Sequence, residues 1–410
     1  MYIILERRGM MEKTVCELFA GVGGFRLGLE RASSDFHTVW FSQWEPGKTK
    51  QWAHDCYVQH WGDIDEFTGV DISVVDKHNI PDHNLLVGGF PCQDYSVARP
   101  LPGSAGLEGK KGVLWWQIRD TLEAKQAPFV LLENVDRLLK SPASQRGRDF
   151  GVILACLAAL GYAVEWRVVN AAEYGAAQRR RRTFIFAYSA NTRYAERMNR
   201  HNPAHIISSI GFFARSFPVE QNFVVNEEMI NFQDIPTVSE SFSFEFKNAG
   251  YMLNGQIYTA NVKSIEEEPT LLRDILAKNV AEDYYLGEKL EKWEYLKGAK
   301  KIERTSKTGH SYIFSEGAIA FPDSIDAPAR TMLTSESSLN RSTHVIRDPE
   351  TNRLRLLTQV EAERIQGFDD NWTDTGMPQK FRYFCMGNAL VVSMVTRMGR
   401  TLSTIMEGEP

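Results

Sequence analysis

Along the first half of the chain, short apolar runs alternate with segments in which apolar and polar residues recur at helical spacing. The apolar runs have the length of strands, and most of them are followed by a helix-like stretch. Such alternation is typical of an α/β protein with a doubly wound, mostly parallel sheet. The predicted strands cover residues 14–19, 38–45, 84–90, 128–135, 162–171 and 181–189.

The pattern changes after about residue 191, where the chain becomes irregular and rich in Phe, Asn and Ser. We therefore predict a first domain over residues 1–190 and a second, smaller, irregular domain over residues 191–350. Regular structure returns in residues 351–410, where Thr358 and Glu361 have the spacing of a capping box. The final apolar helix of this return segment is expected to pack on the first domain.

Composition and charge narrow the class of protein. The 410 residues include five scattered cysteines without a CxxC pair, so neither a disulfide framework nor a metal site is expected. No apolar run approaches the roughly 20 residues of a membrane span, and no secretory signal is visible, so we expect a cytoplasmic protein with no membrane partner. The net charge of −5 argues weakly against nucleic-acid binding, but residues 289–310 hold seven bases against three acids.

A glycine-rich turn follows the first predicted strand. In the stretch ELFAGVGGFRLGLE, Gly21, Gly23 and Gly24 would let a ligand approach the backbone at a helix N-terminus. The spacing is not GxGxxG and no P-loop lysine follows, which disfavours NAD and ATP. Glu45, at the end of the second predicted strand, can accept both hydroxyls of a ribose, and Asp63 can accept from an adenine amino group. Solvated loop acids are the alternative, but the order of these three signals favours an adenosine-containing cofactor.

Side chains with catalytic potential follow the third and fourth predicted strands. Cys92 comes directly after Pro91, where a strand gives way to a loop, and Glu133 and Asn134 end the fourth strand. Because the carboxyl ends of parallel strands meet at one crevice, we expect the thiol and the carboxylate to share a site. The run QRRRR, residues 178–182, would add guanidinium groups, which lower the pKa of a nearby thiol.

The basic run enters the apolar strand TFIFA. A strand period of two then places Gln178, Arg180 and Arg182 on one face. A solvated basic run is the alternative for these arginines, and a turn or helix-capping acid is the alternative for Glu133.

Taken in chain order, these segments resemble the bacterial cytosine-5 DNA methyltransferases. FAGVGGFRLGLE resembles the S-adenosylmethionine turn of that family, GGFPCQDYS its nucleophile motif, ENV its carboxylate motif and QRRRR its QxRxR motif. RLLTQVEAERIQGF and GNALVV are similar to its ninth and last motifs. Three positions depart mildly from the family pattern, namely Tyr95, Gln359 and Leu390.

The resemblance implies a Rossmann-like enzyme that transfers a methyl group from S-adenosylmethionine to carbon 5 of cytosine in a specific duplex DNA sequence. Cys92 would add to carbon 6 of a flipped base, and Glu133 would hydrogen-bond its ring nitrogen 3 and amino group. Arg180 and Arg182 would position the base or its phosphate, and Gln178 and Asn134 belong to the same two motifs. No side chain is an obvious base for removing the carbon 5 proton.

The same correspondence gives the expected binding residues. For the cofactor they are Phe19, Ala20, Gly21, Gly23, Gly24, Glu45, Asp63, Ile64, Pro91, Asn388 and Ala389. For DNA they are Lys110 and Lys111 in a closing loop, and Arg330, Asn340 and Arg341 in the second domain, which is interpreted as the target-recognition domain. The basic stretch 289–310 is expected to contact phosphates.

The sequence is also compatible with other functions. An RNA cytosine-5 methyltransferase would share the fold and the motifs, but the long segment 191–350 argues against it. A non-catalytic DNA-binding regulator would be expected to lack Cys92 or Glu133, and a Rossmann dehydrogenase is disfavoured by the missing GxGxxG. The family suggests a monomer acting on double-stranded DNA, with a companion restriction endonuclease that acts separately.

Overall fold

The computed structural model describes residues 11–90, 113–306 and 309–410. These residues form two compact units. The first comprises the residues up to Tyr174 together with Arg181–Glu267 and Val392–Pro410, and the second comprises Gly175–Arg180 and Glu268–Val391.

The strands are β1 (Thr14–Leu18), β2 (His37–Ser42), β3 (Leu85–Gly89), β4 (Phe129–Val135), β5 (Tyr162–Asn170), β6 (Arg181–Ser189), β7 (Val225–Met229), β8 (Ala249–Leu253), β9 (Gln256–Ala260), β10 (Lys300–Thr305), β11 (Ser311–Glu316), β12 (Val345–Arg347) and β13 (Leu354–Leu356). The helices are α1 (Gly24–Ala32), α2 (Trp52–Trp61), α3 (Val113–Lys125), α4 (Arg148–Ala159), α5 (Arg193–Met198), α6 (Pro203–His205), α7 (Phe212–Ser216), α8 (Ile235–Ser241), α9 (Leu290–Lys297), α10 (Gln359–Gln366), α11 (Gln379–Asn388) and α12 (Val392–Glu407).

Within the described residues, the first unit is organised around a nine-stranded sheet of order β2-β1-β3-β4-β6-β5-β8-β9-β7. β1 pairs in parallel with β2 and β3, and β3 pairs in parallel with β4. β6 lies between β4 and β5 and is antiparallel to both, so β1 to β5 all run in one direction. The predicted α/β class with a mostly parallel sheet is therefore confirmed, although strand 181–189 runs against its neighbours.

Both faces of this sheet are covered. On one face, Val130 and Leu132 of β4 belong to a fully buried cluster that also contains Ile118 of α3 and Ile153 of α4. On the other face, the ring of Phe186 stacks on Phe212 of α7, with ring centroids 4.0 Å apart. Helices therefore pack on both sides of the sheet, as in a doubly wound fold.

The last helix packs on the first one. A side chain added at Gly28 of α1 would place its Cβ 2.6 Å from the Cβ of Val395 of α12. In the same way, a Cβ at Gly399 would lie 2.7 Å from that of Ala32. The two glycines allow α1 and α12 to approach at backbone distance.

The boundary between the units differs from the one predicted at residue 191. β8 pairs with β5, and β9 pairs with β8, so residues 181–267 extend the first unit's sheet. Met252 and Ile257 of these strands are fully buried within the same hydrophobic cluster as α4. The residues 351–391 that the sequence assigned to a return segment belong instead to the second unit. Five-residue strands such as β8 and β9 carry too short an alternation to be recognised locally.

In the second unit, Trp293 of α9 packs with Leu286 and Val345 in a small core. α10 begins at the predicted capping box, where Thr358 Oγ1 accepts from the Glu361 N–H at 3.2 Å and a Glu361 carboxylate oxygen accepts from the Thr358 N–H at 2.7 Å. The prediction of this helix is confirmed. Glu361 also forms a fully buried ion pair with Arg355.

Candidate active site

The turn between β1 and α1 has the backbone geometry that the glycines predict. Phe19 and Gly21 both have φ of 57°, and Gly23 at the N-cap of α1 has φ of 84°. The turn is tied to β2, since the Ala20 N–H donates to the Ser42 carbonyl at 2.9 Å and the Gly21 N–H to Gln43 Oε1 at 2.7 Å. Gly23 at the N-cap has no side chain with which to cap this helix end.

Gly23 is required on steric grounds as well. A Cβ at this position would lie 2.2 Å from Cζ3 of Trp61, at the end of α2. Trp61 Nε1 donates to Glu30 at 3.0 Å, and the Arg26 guanidinium lies 4.8 Å from the centre of a Trp61 ring. Side chains of α1 therefore hold the Trp61 ring against the turn.

Glu17 of β1 is a buried carboxylate that the sequence reasoning missed. One of its oxygens accepts from the Tyr57 hydroxyl at 3.0 Å, and the side chain is fully buried beneath the turn. Burial raises the pKa of Glu17 to about 7. The sequence signal for Glu17 is an acid inside the apolar run TVCELF. Acids are rarely buried unless they are paired, so an acid in a predicted buried strand indicates a specific partner.

Glu45 and Asp63 follow β2 and α2 respectively. β2 ends at Ser42, so Glu45 lies three residues beyond the strand rather than at its end as predicted. Gln51 holds the Glu45 backbone from both sides, accepting from its N–H at 2.7 Å and donating to its carbonyl at 3.0 Å. The Glu45 carboxyl is half-buried, and burial raises its pKa. It is thus presented from a fixed backbone, as a ribose-binding carboxylate would be.

Asp63 lies in an exposed turn that begins at Gly62, whose φ is 83°. Its Oδ1 accepts from the Thr68 hydroxyl at 2.5 Å and from the Ile64 N–H at 2.9 Å. Ile64 is itself 42% exposed. The turn therefore fixes the Asp63 side chain and leaves an apolar side chain open beside it.

The end of β3 leads to the predicted nucleophile. Pro91, Cys92, Lys110 and Lys111 all lie outside the described residues, and the chain is described up to Phe90. Asn134, which is 1% exposed, donates through Nδ2 to the Phe90 carbonyl at 2.8 Å and accepts at Oδ1 from the Val135 N–H at 2.8 Å. Asn134 thus fixes the backbone two residues before Cys92.

Glu133 and Arg182 meet at the neighbouring strand ends. Arg182 Nε lies 2.7 Å from Glu133 Oε1, and the side chains are 16% and 12% exposed. The N–H is not directed at that oxygen, because Oε1 has no aligned hydrogen-bond donor among the described residues. Gly89 is paired with Glu133 across β3 and β4, and a Cβ there would lie 3.3 Å from Oε2. A nearly buried carboxylate, held by a guanidinium but with acceptor capacity left, therefore stands beside the segment that leads to Cys92.

Gln178 and Arg180 are placed differently from Arg182. β6 begins at Arg181, so both residues precede the strand and belong to the second unit. The expectation that one strand carries all three on a single face is therefore wrong, because only Arg182 lies in the strand, although the three side chains do alternate in burial with their neighbours. Gln178 Oε1 accepts from the Met332 N–H at 2.9 Å, and Arg180 donates to the Met332 carbonyl at 3.1 Å and to the Gly387 carbonyl at 3.0 Å.

A family model described as C-5 cytosine-specific DNA methylase matches residues 13–404. The chain belongs to this family. The type II methyltransferase M.Sau3AI of Staphylococcus aureus is 50% identical over 399 residues, which make up 95% of each chain. The type II methyltransferase M.HhaI of Haemophilus parahaemolyticus is 31% identical over 172 residues, 42% of this chain and 48% of the relative.

Solved structures agree with the fold. A DNMT2 of Spodoptera frugiperda matches with a TM-score of 0.58 at 12% identity, covering 96% of the methylase and 99% of that chain. The Dnmt2 methyltransferase of S. pombe matches with a TM-score of 0.56 at 16% identity, and the match covers 95% of the methylase and 98% of that chain. Family membership confirms the predicted reaction, S-adenosylmethionine-dependent methylation of cytosine at carbon 5 in DNA, and rules out the dehydrogenase.

In the methylase, the arginines predicted to address bases have partners inside the second unit. Arg330 forms a bidentate ion pair with Asp323, with N···O distances of 2.5 and 3.1 Å. Arg341 donates to the Leu296 and Gly298 carbonyls at 3.0 and 3.2 Å. Asn340 accepts from the Ser342 N–H at 2.9 Å in a turn. These side chains hold a loop together, and base reading by them stays a prediction.

The last predicted cofactor residues end α11. Asn388 is the final residue of that helix and is exposed, and the Ala389 N–H donates to the Cys385 carbonyl at 2.8 Å. Both belong to the second unit. Among the described residues, no cluster of three or more His, Cys, Asp and Glu side chains could hold a metal ion, and none of the described helices is long and apolar enough to cross a membrane.

Proposed function

We propose that the methylase acts through a covalent bond between Cys92 and the target cytosine. The observation that carries this proposal is the pair Glu133–Arg182 beside Gly89, three residues before Cys92. A carboxylate and a guanidinium in this position can bind the polar edge of a pyrimidine ring while the thiolate approaches its carbon 6. Asn134 supports the same arrangement, since it fixes the Phe90 carbonyl.

The proposed reaction begins and ends with Cys92 as a thiolate. The Cys92 thiolate adds to carbon 6, and the electrons of the 5,6 double bond move so that carbon 5 becomes nucleophilic. Carbon 5 takes the methyl group, and the bond between that methyl and the donor sulfur breaks. The carbon 5 proton then leaves to a base or water, the double bond re-forms, and Cys92 departs as thiolate. Glu133 donates a proton to nitrogen 3 and accepts a hydrogen bond from the amino group, which offsets the negative charge that develops on the ring, and Arg182 holds Glu133 in place.

The residues around the turn fit S-adenosylmethionine. The donor supplies an electrophilic methyl on a sulfonium. Backbone N–H groups at the start of α1 can bind its carboxylate, and a Cβ at Gly21 would meet nothing within 4 Å, so the ligand can approach the backbone there. Glu45 would bind the ribose hydroxyls, and Asp63 with Ile64 would bind the adenine. Phe19, Ala20, Gly23, Gly24, Pro91, Asn388 and Ala389 complete the proposed set.

The target must leave the duplex before it can reach a thiol at the end of a strand, at a cost of about a few kcal/mol. We infer that Lys110 and Lys111 contact phosphates when the base is flipped, and that the second unit recognises the sequence. The 50% identical relative is named a type II methyltransferase. This name supports a restriction–modification setting, and we propose that the methylase modifies one short site as a monomer and protects it from a companion endonuclease that acts separately.

Bisulfite sequencing of DNA from cells that express the chain tests the activity and the site together. Methylated cytosines should fall in one short sequence and disappear with Cys92→Ser, while the matched Cys156→Ala in α4 should retain them. Methylation that survives Cys92→Ser would contradict the covalent mechanism. Methylated tRNA without methylated DNA would support an RNA substrate instead.

A duplex with 5-fluorocytosine at the target tests the adduct itself. Fluorine cannot leave as the proton does, so Cys92 should stay bound to the methylated base. A covalent protein–DNA band should form with wild-type enzyme and with Cys156→Ala, and should be absent with Cys92→Ser. Methylation without a trapped band would show that the reaction proceeds without the adduct.

A further inference from the structure

Gln178 and Arg180 are buried too completely to serve as exposed substrate ligands. Gln178 is 0% exposed and Arg180 is 1% exposed, although Arg179 between them is exposed. Long polar side chains are rarely buried to this extent unless they are hydrogen-bonded. Their partners therefore indicate what they do.

Both side chains bind the backbone of one residue, Met332. Gln178 accepts from the Met332 N–H and Arg180 donates to the Met332 carbonyl, so the two polar groups of Met332 are bound from the same short segment. The backbones run side by side as well, since the Ala329 N–H donates to the Ala177 carbonyl at 2.8 Å and the Arg179 N–H to the Ala329 carbonyl at 2.8 Å. The segment 329–332 is thereby fixed along its length.

The end of α11 is joined to the same point. Arg180 also donates to the Gly387 carbonyl at 3.0 Å. A Cβ at Gly387 would lie 2.4 Å from the Leu333 carbonyl carbon and 2.4 Å from the Thr334 nitrogen. Arg180 therefore hydrogen-bonds to two backbone segments that lie so close together that only glycine fits at position 387.

The loop that starts at Met332 presents apolar side chains from a rigid base. Leu333 and Leu339 are 45% and 52% exposed. Within the same loop, the Glu336 carboxylate accepts from the backbone N–H of His344 at 2.8 Å and lies 3.0 Å from its ring Nδ1, and both residues are buried. Exposed apolar groups on a fixed loop suit contact with base edges such as the thymine methyl group.

We propose that Gln178 and Arg180 are positioning residues that set the DNA-reading loop 333–341 through Met332, and that they do not touch the target cytosine. This rests on the proposed function, because it takes the loop as part of the target-recognition surface. Arg182 lies two residues further along the chain and pairs with Glu133. In this proposal Arg180 serves sequence discrimination, and Arg182 serves catalysis.

The test compares discrimination with turnover. The value of kcat/KM is measured on a duplex that carries the site found by bisulfite sequencing and on duplexes with one base pair changed. Discrimination is the ratio of kcat/KM on the correct duplex to kcat/KM on an altered duplex. Arg180→Met should lower this ratio by about 10-fold or more, since one base contact supplies discrimination of that order. Arg180→Lys should restore part of it, because an ammonium can still donate to one of the two carbonyls. Affinity for S-adenosylmethionine should not change.

Two further variants keep the outcome decisive. Gln178→Met loses only the contact to the Met332 N–H and should lower discrimination even if Arg180→Met does not fold. Arg182→Lys should lower kcat while the discrimination ratio stays at the wild-type value. A fall in kcat with unchanged discrimination for both Arg180→Lys and Gln178→Met would overturn the proposal. Absence of DNA methylation by wild-type enzyme would instead refute the proposed function.

Discussion

Asn134→Asp tests directly whether the backbone before Cys92 must be held in place. The substitution keeps the shape of the side chain and the acceptor for the Val135 N–H, but it removes the Nδ2 donor that binds the Phe90 carbonyl at 2.8 Å. In its place, a carboxylate oxygen would face a carbonyl oxygen in a site that is 1% exposed.

The size of the effect follows from that geometry. Losing a donor to a buried carbonyl costs about 1–3 kcal/mol, and each 1.4 kcal/mol or so corresponds to a factor of about ten. If the cost falls on the arrangement of Cys92, the methylation rate should drop by about 10- to 100-fold. Burial favours the protonated acid, which can donate to the Phe90 carbonyl again. The rate of Asn134→Asp relative to wild type should therefore rise as the pH falls.

Single-turnover methylation at saturating DNA and S-adenosylmethionine, measured between about pH 5.5 and 8.5 to span that titration, is the appropriate assay. Asn84→Asp is a matched control at the opposite end of β3, where Asn84 Nδ2 donates to the Glu12 carbonyl at 2.9 Å. It should leave the single-turnover rate unchanged. The reasoning fails if Asn134→Asp lowers the melting temperature but keeps the wild-type rate, or if its relative rate does not depend on pH.

Three further predictions concern the turn and the carboxylates. Gly23→Ala forces a Cβ against the ring of Trp61 and should weaken S-adenosylmethionine binding by more than about 10-fold in calorimetry, whereas Gly161→Ala, with φ of 81° and open space around its Cβ, should cost only about 1–2 kcal/mol of stability. Because the pKa of Glu17 is raised from 4.5 to about 7, its contribution to the free energy of unfolding, about 3 kcal/mol, should be present below pH 4.5 and be lost as the pH rises from 4.5 through 7, and urea titrations of Glu17→Gln should lose this part of the slope. Glu133→Gln should slow methylation by about 100-fold or more in a radiolabel transfer assay, with cofactor affinity kept.

The sequence predicts best where local chemistry decides the structure. The glycine turn, the capping box of α10 and the carboxylate at the end of β4 each follow from residues within a few positions of one another. Strand orientation and neighbours do not, because apolar periodicity is the same in either direction. For that reason β6 could be placed as a strand but not between β4 and β5, and the pairing of β8 with β5 was missed.

The four successive arginines show the same limit at the level of the site. Burial does follow a period of two, since Arg179 and Arg181 are exposed while Arg180 is buried and Arg182 is largely covered. This alternation does not predict which group each covered guanidinium contacts. The strand starts only at Arg181, and the chain passes from the second unit to the first at that point. Arg180 meets two backbone carbonyls and Arg182 meets a carboxylate. Residues of one type, two positions apart in one motif, therefore contact different groups, which are distant from them in sequence.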